Sequence, residues 1–224
     1  MTLPELSSTD RTRLRRYPQR ARTERHELYN VLDTGLICFV GAVIDGAPHV
    51  IPMAYGRIDD TLYLHGSNLN QVIVAAKNGG EVCVTVTHVE ALVLANTLFH
   101  HSVNFRSAMV YGRARVVTEE AERLAAFRTT GQQLAPGRPD ELRPPSAKEL
   151  SAVTVIALSL QEASLKVRDG GPFHEPEEDP AIWSGVLPVH QTWGEPEPAG
   201  EAEALPVPEH VARLVGRQVR GRKS

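Results

Sequence analysis

The sequence predicts a mainly β protein with flanking helices, a small antiparallel barrel with helical crossovers. Three observations predict it. Six or so short apolar segments are separated by turn signals, one segment of helical period precedes them, and two more interrupt them.

Taken in order, residues 1–25 are polar and basic, with Arg11, Arg13, Arg15, Arg16, Arg20, Arg22 and Arg25, and read as a surface arm. From Glu24 to Leu32 the spacing of Leu28, Val31 and Leu32 marks one helical face, ended by Asp33-Thr34-Gly35. GLICFVGAVI, Asp45-Gly46 and HVIPMAYG then form a hairpin signal, because Asp-Gly supplies the positive φ angles that tight hairpins need. The first of these strands is apolar almost throughout, which suits burial on both faces. A turn at Arg57–Asp60 leads to the strand TLYLHGS, and NLNQVIVAAKNGG fits a helix stopped by Gly79-Gly80. EVCVTVTHV, EALVLANTLF and SAMVYGRARVV read as strands. Glu119 to Gln133 reads as a helix presenting Ala121, Leu124 and Ala125, and AVTVIALSLQEASLKVR as one long final strand.

After Gly171 the chain becomes rich in Pro and Glu, with an apolar island at AIWSGVLPVHQTW. Residues 26–193 are therefore expected to form the folded domain. Residues 194–224 are expected to be a linker and a solvated basic tail, dispensable for folding and binding.

Composition removes several function classes. The 24 Lys+Arg against 27 Asp+Glu leave no basic excess for a nucleic-acid backbone. No run approaches the roughly 20 apolar residues of a membrane span. The N-terminal stretch carries charge where a signal peptide needs an apolar core, so a cytoplasmic protein is expected. Cys38 and Cys83 sit in apolar runs and read as reduced core thiols.

Chemistry is sought by elimination. No serine has a G-x-S-x-G setting, no C-x-x-C or H-E-x-x-H occurs, and neither a P-loop nor G-x-G-x-x-G is present. His100 and His101 are adjacent, so on a strand they point to opposite faces, and no metal site is expected. Two polar groupings remain. His65, Gly66 and Ser67 end a strand just before a helix, where an anion can meet free amides; a plain helix cap at Ser67 or Asn68 fits the same residues. Ser102, Asn104, Arg106 and Ser107 lie within FHHSVNFRS, where Arg106 is either an anion clamp or a surface ion pair. Lys166 and Arg168 end the last strand and read as solvated cations. Trp183 and Trp193 read as core or interface anchors.

Four strings occur in one order: HVIPMAYGRIDDTLYLHGSN, LVLANTLFHHSVNFRSAMVYGRARVV, LKVRDGGP and IWSGVLP. As a set they resemble the pyridoxamine 5′-phosphate oxidase-like, FMN-binding split-barrel proteins, and within them the subgroup related to nitroimidazole-resistance proteins. The resemblance spans roughly residues 10–190. It implies a six-stranded antiparallel split β-barrel, a homodimer, and FMN at the interface between subunits.

By position, the resemblance places Val50, Ile51, Pro52, Met53 and Ala54 along the flavin ring. It places His65, Gly66 and Ser67 near the cofactor, and Ser102, Asn104, Arg106 and Ser107 in the cofactor site or its support. His65 is the candidate catalytic residue, as proton donor or substrate contact. The oxidases proper carry Arg and Lys phosphate ligands where this chain has His49 and Ala54, then Asn68, Asn70 and Gln71, and Ala95–Thr97 read ANT where the subgroup is expected to have A-R-S. That pattern argues against pyridoxine-phosphate oxidation. The implied activity is hydride transfer through FMN to a small electron-poor substrate, with NADH or NADPH as a possible donor. The rivals are a flavin-binding protein without turnover and a haem-binding split barrel using His100, His101 or the tail.

Overall fold

The computed structural model describes residues 5–6, 9–176, 179 and 181–219. The basic end expected of the tail, Arg220 to Ser224, lies outside them.

The hairpin forms as the Asp-Gly signal predicts. Asp45 and Gly46 adopt φ of 50° and 78° and join β2 (Cys38–Ile44) to β3 (Ala47–Met53). β2 is not buried on both faces, however. Its residues alternate, with Cys38, Val40 and Ala42 inside and Phe39 and Val43 outside, because the strand lies in a sheet with only one covered face.

The remaining strands are β1 (Ala21–Arg22), β4 (Tyr55–Ile58), β5 (Thr61–Ser67), β6 (Glu81–Leu94), β7 (Ser102–Arg113), β8 (Arg115–Val116), β9 (Val153–Ser159), β10 (Ala163–Arg168) and β11 (Gly185–Pro188). They make two antiparallel sheets. One runs β1-β10-β7-β6-β2-β3 with β11 added on β6; the other runs β4-β5-β9-β8. The chain passes from sheet to sheet at Ala54 and again at 160–162, so these are the corners of a split barrel. The corners explain two departures from the expected strands. The single final strand is two strands, β9 and β10, in different sheets, turned where the Leu160 amide donates to Asp60 O and the Tyr111 amide to Glu162 O. Conversely, the two strands expected across residues 81–99 are one, β6, whose register shifts between Val89 and Ala91.

Among the described residues the α-helices are α1 (Arg25–Thr34), α2 (Gln71–Lys77), α3 (Glu120–Leu134), α4 (Ala147–Ser151) and α5 (Glu209–Ala212). α2 is capped by Asn70, whose Oδ1 accepts from the Val72 and Ile73 amides at 3.0 and 3.2 Å. Ser67 and Asn68 are occupied elsewhere. Ser67 still pairs with Val153 and accepts from the Leu69 amide, while Asn68 bridges Ser151 O and Thr154 Oγ1. At the other end the Gly79 and Gly80 amides bond Ala76 O and Ala75 O, with Gly79 at φ 82°.

The core lies between the sheets and under α1 and α2, with Leu28, Leu32, Val40, Leu64, Ile73, Val84, Val110, Ile156 and Leu158 almost wholly buried. A smaller cluster of Tyr63, Val117, Ala126, Val155 and Ala157 seals α3 against the second sheet. α3 buries Ala126, Thr130 and Gln133 rather than the face of Ala121, Leu124 and Ala125 expected from spacing. Its rotation is set by Gly56, against which the α3 backbone packs at Thr129 and Thr130. Both cysteines are free, and burial pushes the Cys38 thiol up to about 12.

Candidate functional site

Strand alternation divides the S-x-N-F-R-S string. On β7, Asn104, Arg106, Ala108 and Val110 point inward and are buried, whereas Ser107 is on the outer face, 2.9 Å from Thr87 Oγ1. The inner face of the large sheet is thus apolar core at Ala108 and Val110 and polar beyond them.

The irregularity of β6 builds this polar end. His88 pairs with Arg106, Val89 with Phe105 and Ala91 with Asn104, so Glu90 is the extra residue of a β-bulge. Its carboxylate accepts from Arg106 Nε at 2.5 Å, and Arg106 Nη1 donates to Asn30 Oδ1 at 2.7 Å. Arg106 is therefore neither an open anion clamp nor a surface ion pair. It is a buried link between the bulge and α1. His88 Nε2 lies 3.0 Å from Val31 O and 3.3 Å from Thr34 Oγ1, and burial holds its pKa below the usual histidine range.

Arg168, expected to be solvated, is buried. It donates to Asn104 Oδ1, to Gly170 O at 3.0 Å and to Gly171 O at 3.2 Å. Sequence reasoning missed it because a strand-end arginine followed by Asp-Gly-Gly looks exposed, and Arg168 is out of phase with the buried alternation of Ala163, Leu165 and Val167 on β10, so spacing gave no signal for it.

His88, Glu90, Asn104, Arg106 and Asp169 line a cavity of about 530 Å³. Its other wall comes from the C-terminal region, with His190, Gln191, Gln218 and Val219. The tail expected to be solvated folds back here. The Val219 amide donates to Gln191 O at 2.7 Å, the Trp193 amide to Arg217 O at 3.0 Å and the Gly216 amide to Trp193 O at 2.9 Å across the same pair of segments. Peptide pairing supplies what the short apolar content of the tail does not.

The other expected residues lie elsewhere in the chain. β3 is separated from β7 by β2 and β6, so Val50 to Met53 stand about 14 Å from the strand of Asn104 and Arg106 at the usual strand spacing. Val50 and Pro52 are exposed, and Met53 is buried. Met53 does approach Gly66, where an added Cβ would also lie 2.9 Å from Ile73 Cγ1, so that glycine serves the packing of α2. Ser102 begins β7 half-buried opposite Val93, Ser67 is at the exposed end of β5, and Ala54 is the corner between sheets.

His65 faces α3, its ring 4.3 Å from that of Phe127, and its buried Nδ1 has no hydrogen-bond partner among the described residues. Burial lowers its pKa. The folded state thus keeps His65 and His88 neutral while the unfolded chain takes up protons below about pH 6.5. Their contribution is present above that pH and is lost as pH falls toward the lowered folded values. Urea unfolding at pH 7, 6 and 5 should show decreasing stability, with a shallower fall in His65→Gln; an identical slope in the variant would refute the assignment.

Residues 24–167 match the family model described as pyridoxamine 5′-phosphate oxidase. The chain belongs to that family. Among solved structures, the oxidase-family chain resembles the FAD and haem binding protein from Mycobacterium smegmatis, at 32% identity and TM-score 0.84 over 90% of this chain and 100% of that one. It also resembles the flavocytochrome Anf3 from Azotobacter vinelandii, at 34% identity and TM-score 0.85 over 94% and 100%. A candidate 5-nitroimidazole antibiotic resistance protein from Bacteroides thetaiotaomicron shares the fold at 20% identity and TM-score 0.56, over 75% of this chain and 89% of its own. No curated protein sequence matches. Among the described residues no helix is long and apolar enough to cross a membrane.

Proposed function

We propose that this chain is a flavin- and haem-binding redox protein that works as a homodimer. The observation that carries the reading is the match to the M. smegmatis and A. vinelandii proteins over 90% or more of this chain and the whole of theirs, beyond the 24–167 core that defines the family. The name of the M. smegmatis protein favours FAD over the FMN implied by the sequence resemblance. Within this chain, Asn68 and Asn70, which stand where the oxidases carry phosphate-binding cations, are spent on Thr154, Ser151 and the α2 cap. A lone FMN phosphate would find little there.

Bound flavin and haem would supply the hydride and electron transfer. The protein supplies binding and orientation. Two imidazoles suit a haem iron, which takes a neutral nitrogen. One is His65, kept neutral and with an unpaired Nδ1. The other is His100, set edge-on to Phe99 and Phe173 at 5.1 and 5.0 Å. His65 also remains the candidate proton donor or substrate contact. Residues 26–193 with the paired 216–219 segment form the binding unit, and the substrate is a small electron-poor molecule.

The absorption spectrum of the purified protein, followed by chromatography of the extracted flavin, tests this. Flavin and Soret bands are expected; FMN in the extract would restore the first assignment of cofactor. Protein that stays colourless after incubation with FAD, FMN and haem would end the proposal. His65→Ala and His100→Ala separate the two imidazoles by loss of the Soret band. Bleaching of the flavin by NADH or NADPH separates a catalyst from a carrier.

The dimer is supported by the outer face of the large sheet. Phe39, Val43, Val50 and Val89 share that face, with Val43 68% and Val50 64% exposed, a patch that one chain leaves in water. A second copy would cover it and bring strand β3 of one chain toward the other. Light scattering of wild type should report a dimer, and Phe39→Glu/Val50→Glu should shift it to monomer with the fold retained. A wild-type monomer at micromolar concentration would contradict the interface.

A further inference from the structure

We infer that Arg16, Tyr17 and Arg20 of the N-terminal arm form, with Arg168 at the end of β10, an oxyanion site suited to a phosphate or diphosphate group. The site stands whether or not the chain carries a flavin. The arm is held beside β10 by β1, in which Ala21 pairs with Lys166 and Arg22 with Leu165, so its single-turn helix (Pro18–Arg20) is carried alongside Arg168. Tyr17 is the centre of the group. Its ring lies 4.1 Å from Arg20 Cζ and 5.1 Å from Arg16 Cζ, and Arg16 Nη2 donates to its hydroxyl at 3.5 Å.

The cations lack an ion-pair partner, although the charge of neighbouring Asp169 acts on Arg168. The other two buried arginines among the described residues meet carboxylates, Arg25 with Asp60 and Arg106 with Glu90. Arg168 is 9% exposed, yet its Nη groups meet only neutral oxygens, and its Nε is buried without a partner. Among the described residues Arg16, Arg20 and Arg168 form no ion pair with a carboxylate. A buried guanidinium is retained against its desolvation cost where an anion pairs with it. Planar, forked donors suit phosphate oxygens better than a single carboxylate rim contact would.

The electrostatics agree. Arg16, foremost through its hydrogen bond, and then the charges of Arg20 and Arg168 hold the Tyr17 phenol below its ordinary range. Burial, and then the charge of Arg20, lower the pKa of Arg168. The Tyr17 shift reports the neighbouring cations, whereas that of Arg168 is foremost its burial, with Arg20 adding to it and Asp169 opposing it. The backbone at Tyr17 is left-handed, φ 58° and ψ 60°, a conformation that non-glycine residues seldom adopt, and its ring lies close to both arm arginines.

Titration calorimetry of the full chain with inorganic pyrophosphate tests the site. One pyrophosphate per chain is expected, and Arg16→Gln/Arg20→Gln, on the exposed arm and outside the core, should weaken it by about tenfold or more. Arg168→Lys gives a second, buried probe with the same expected direction. No binding by wild type at millimolar pyrophosphate, or equal binding by the arm variant, would overturn the inference. Running the titration on flavin-free and flavin-loaded protein identifies the source of the group. Binding lost on loading assigns the oxyanion to the dinucleotide cofactor, and binding retained assigns it to a free ligand. Flavin retained by a protein that binds no pyrophosphate would remove this site and leave the flavin proposal standing.

Discussion

Arg106→Ala should lose about 2–4 kcal/mol of folding stability, read as a lower urea midpoint. The guanidinium joins Glu90 of the bulge to Asn30 of α1, and both partners are largely buried. Its removal takes from the largely buried Glu90 carboxylate the guanidinium that it is paired with. Arg106→Ala/Glu90→Gln should recover part of the loss, because the second change removes the stranded charge. Flavin content should follow the folded fraction. A variant of wild-type stability that has lost its flavin would instead make Arg106 a direct cofactor ligand, as the sequence resemblance implies.

Gly56→Val should be more damaging, costing about 3 kcal/mol or more, with α3 as the element that gives way. A Cβ at Gly56 would stand 2.8 Å from both the Thr129 carbonyl carbon and the Thr130 amide nitrogen, and it would also meet Thr129 Cγ2. Those are backbone atoms, so rotamer change cannot relieve the clash. Displacing α3 would also withdraw Gln133, whose Nε2 donates to Leu32 O at 2.9 Å beside the Tyr55 hydroxyl. These two side chains add hydrogen bonds to the carbonyls at the end of α1, where Leu32 O also accepts from the Gly35 amide at 3.4 Å. Loss of helical circular dichroism with an early thermal transition is expected. A Tm within a degree or two of wild type would mean that α3 does not rest on this strand.

The elements themselves were legible because their signals are local. Asp45-Gly46 makes its hairpin, Leu28, Val31 and Leu32 make the buried stripe of α1, and Gly79-Gly80 ends α2. The ordered set of strings from HVIPMAY to WSGVLP was enough to indicate the family, which the match over 24–167 establishes. The candidate site was legible only in part. His65, Asn104 and Arg106 are polar side chains in apolar strands, so their unusual placement could be seen, but their partners could not.

What the sequence by itself determined is the repertoire of this protein: mainly antiparallel strands, helices at the right places, free thiols and a split-barrel family. What only the tertiary structure decided is which polar groups meet. β7 divides Asn104 and Arg106 from Ser107 by strand alternation, the bulge at Glu90 aims a carboxylate at Arg106, and the sheet order keeps β3 away from both. Arg168 is buried because β1 and the arm cover the end of β10, and the tail lines a cavity because its peptide groups pair with 191–193. The physical reason is one of range. Turn, cap and periodicity preferences act within a few residues, whereas burial, ion pairing and desolvation depend on contacts between segments as distant as Asn30 and Arg106, which exist only once the chain has closed on itself.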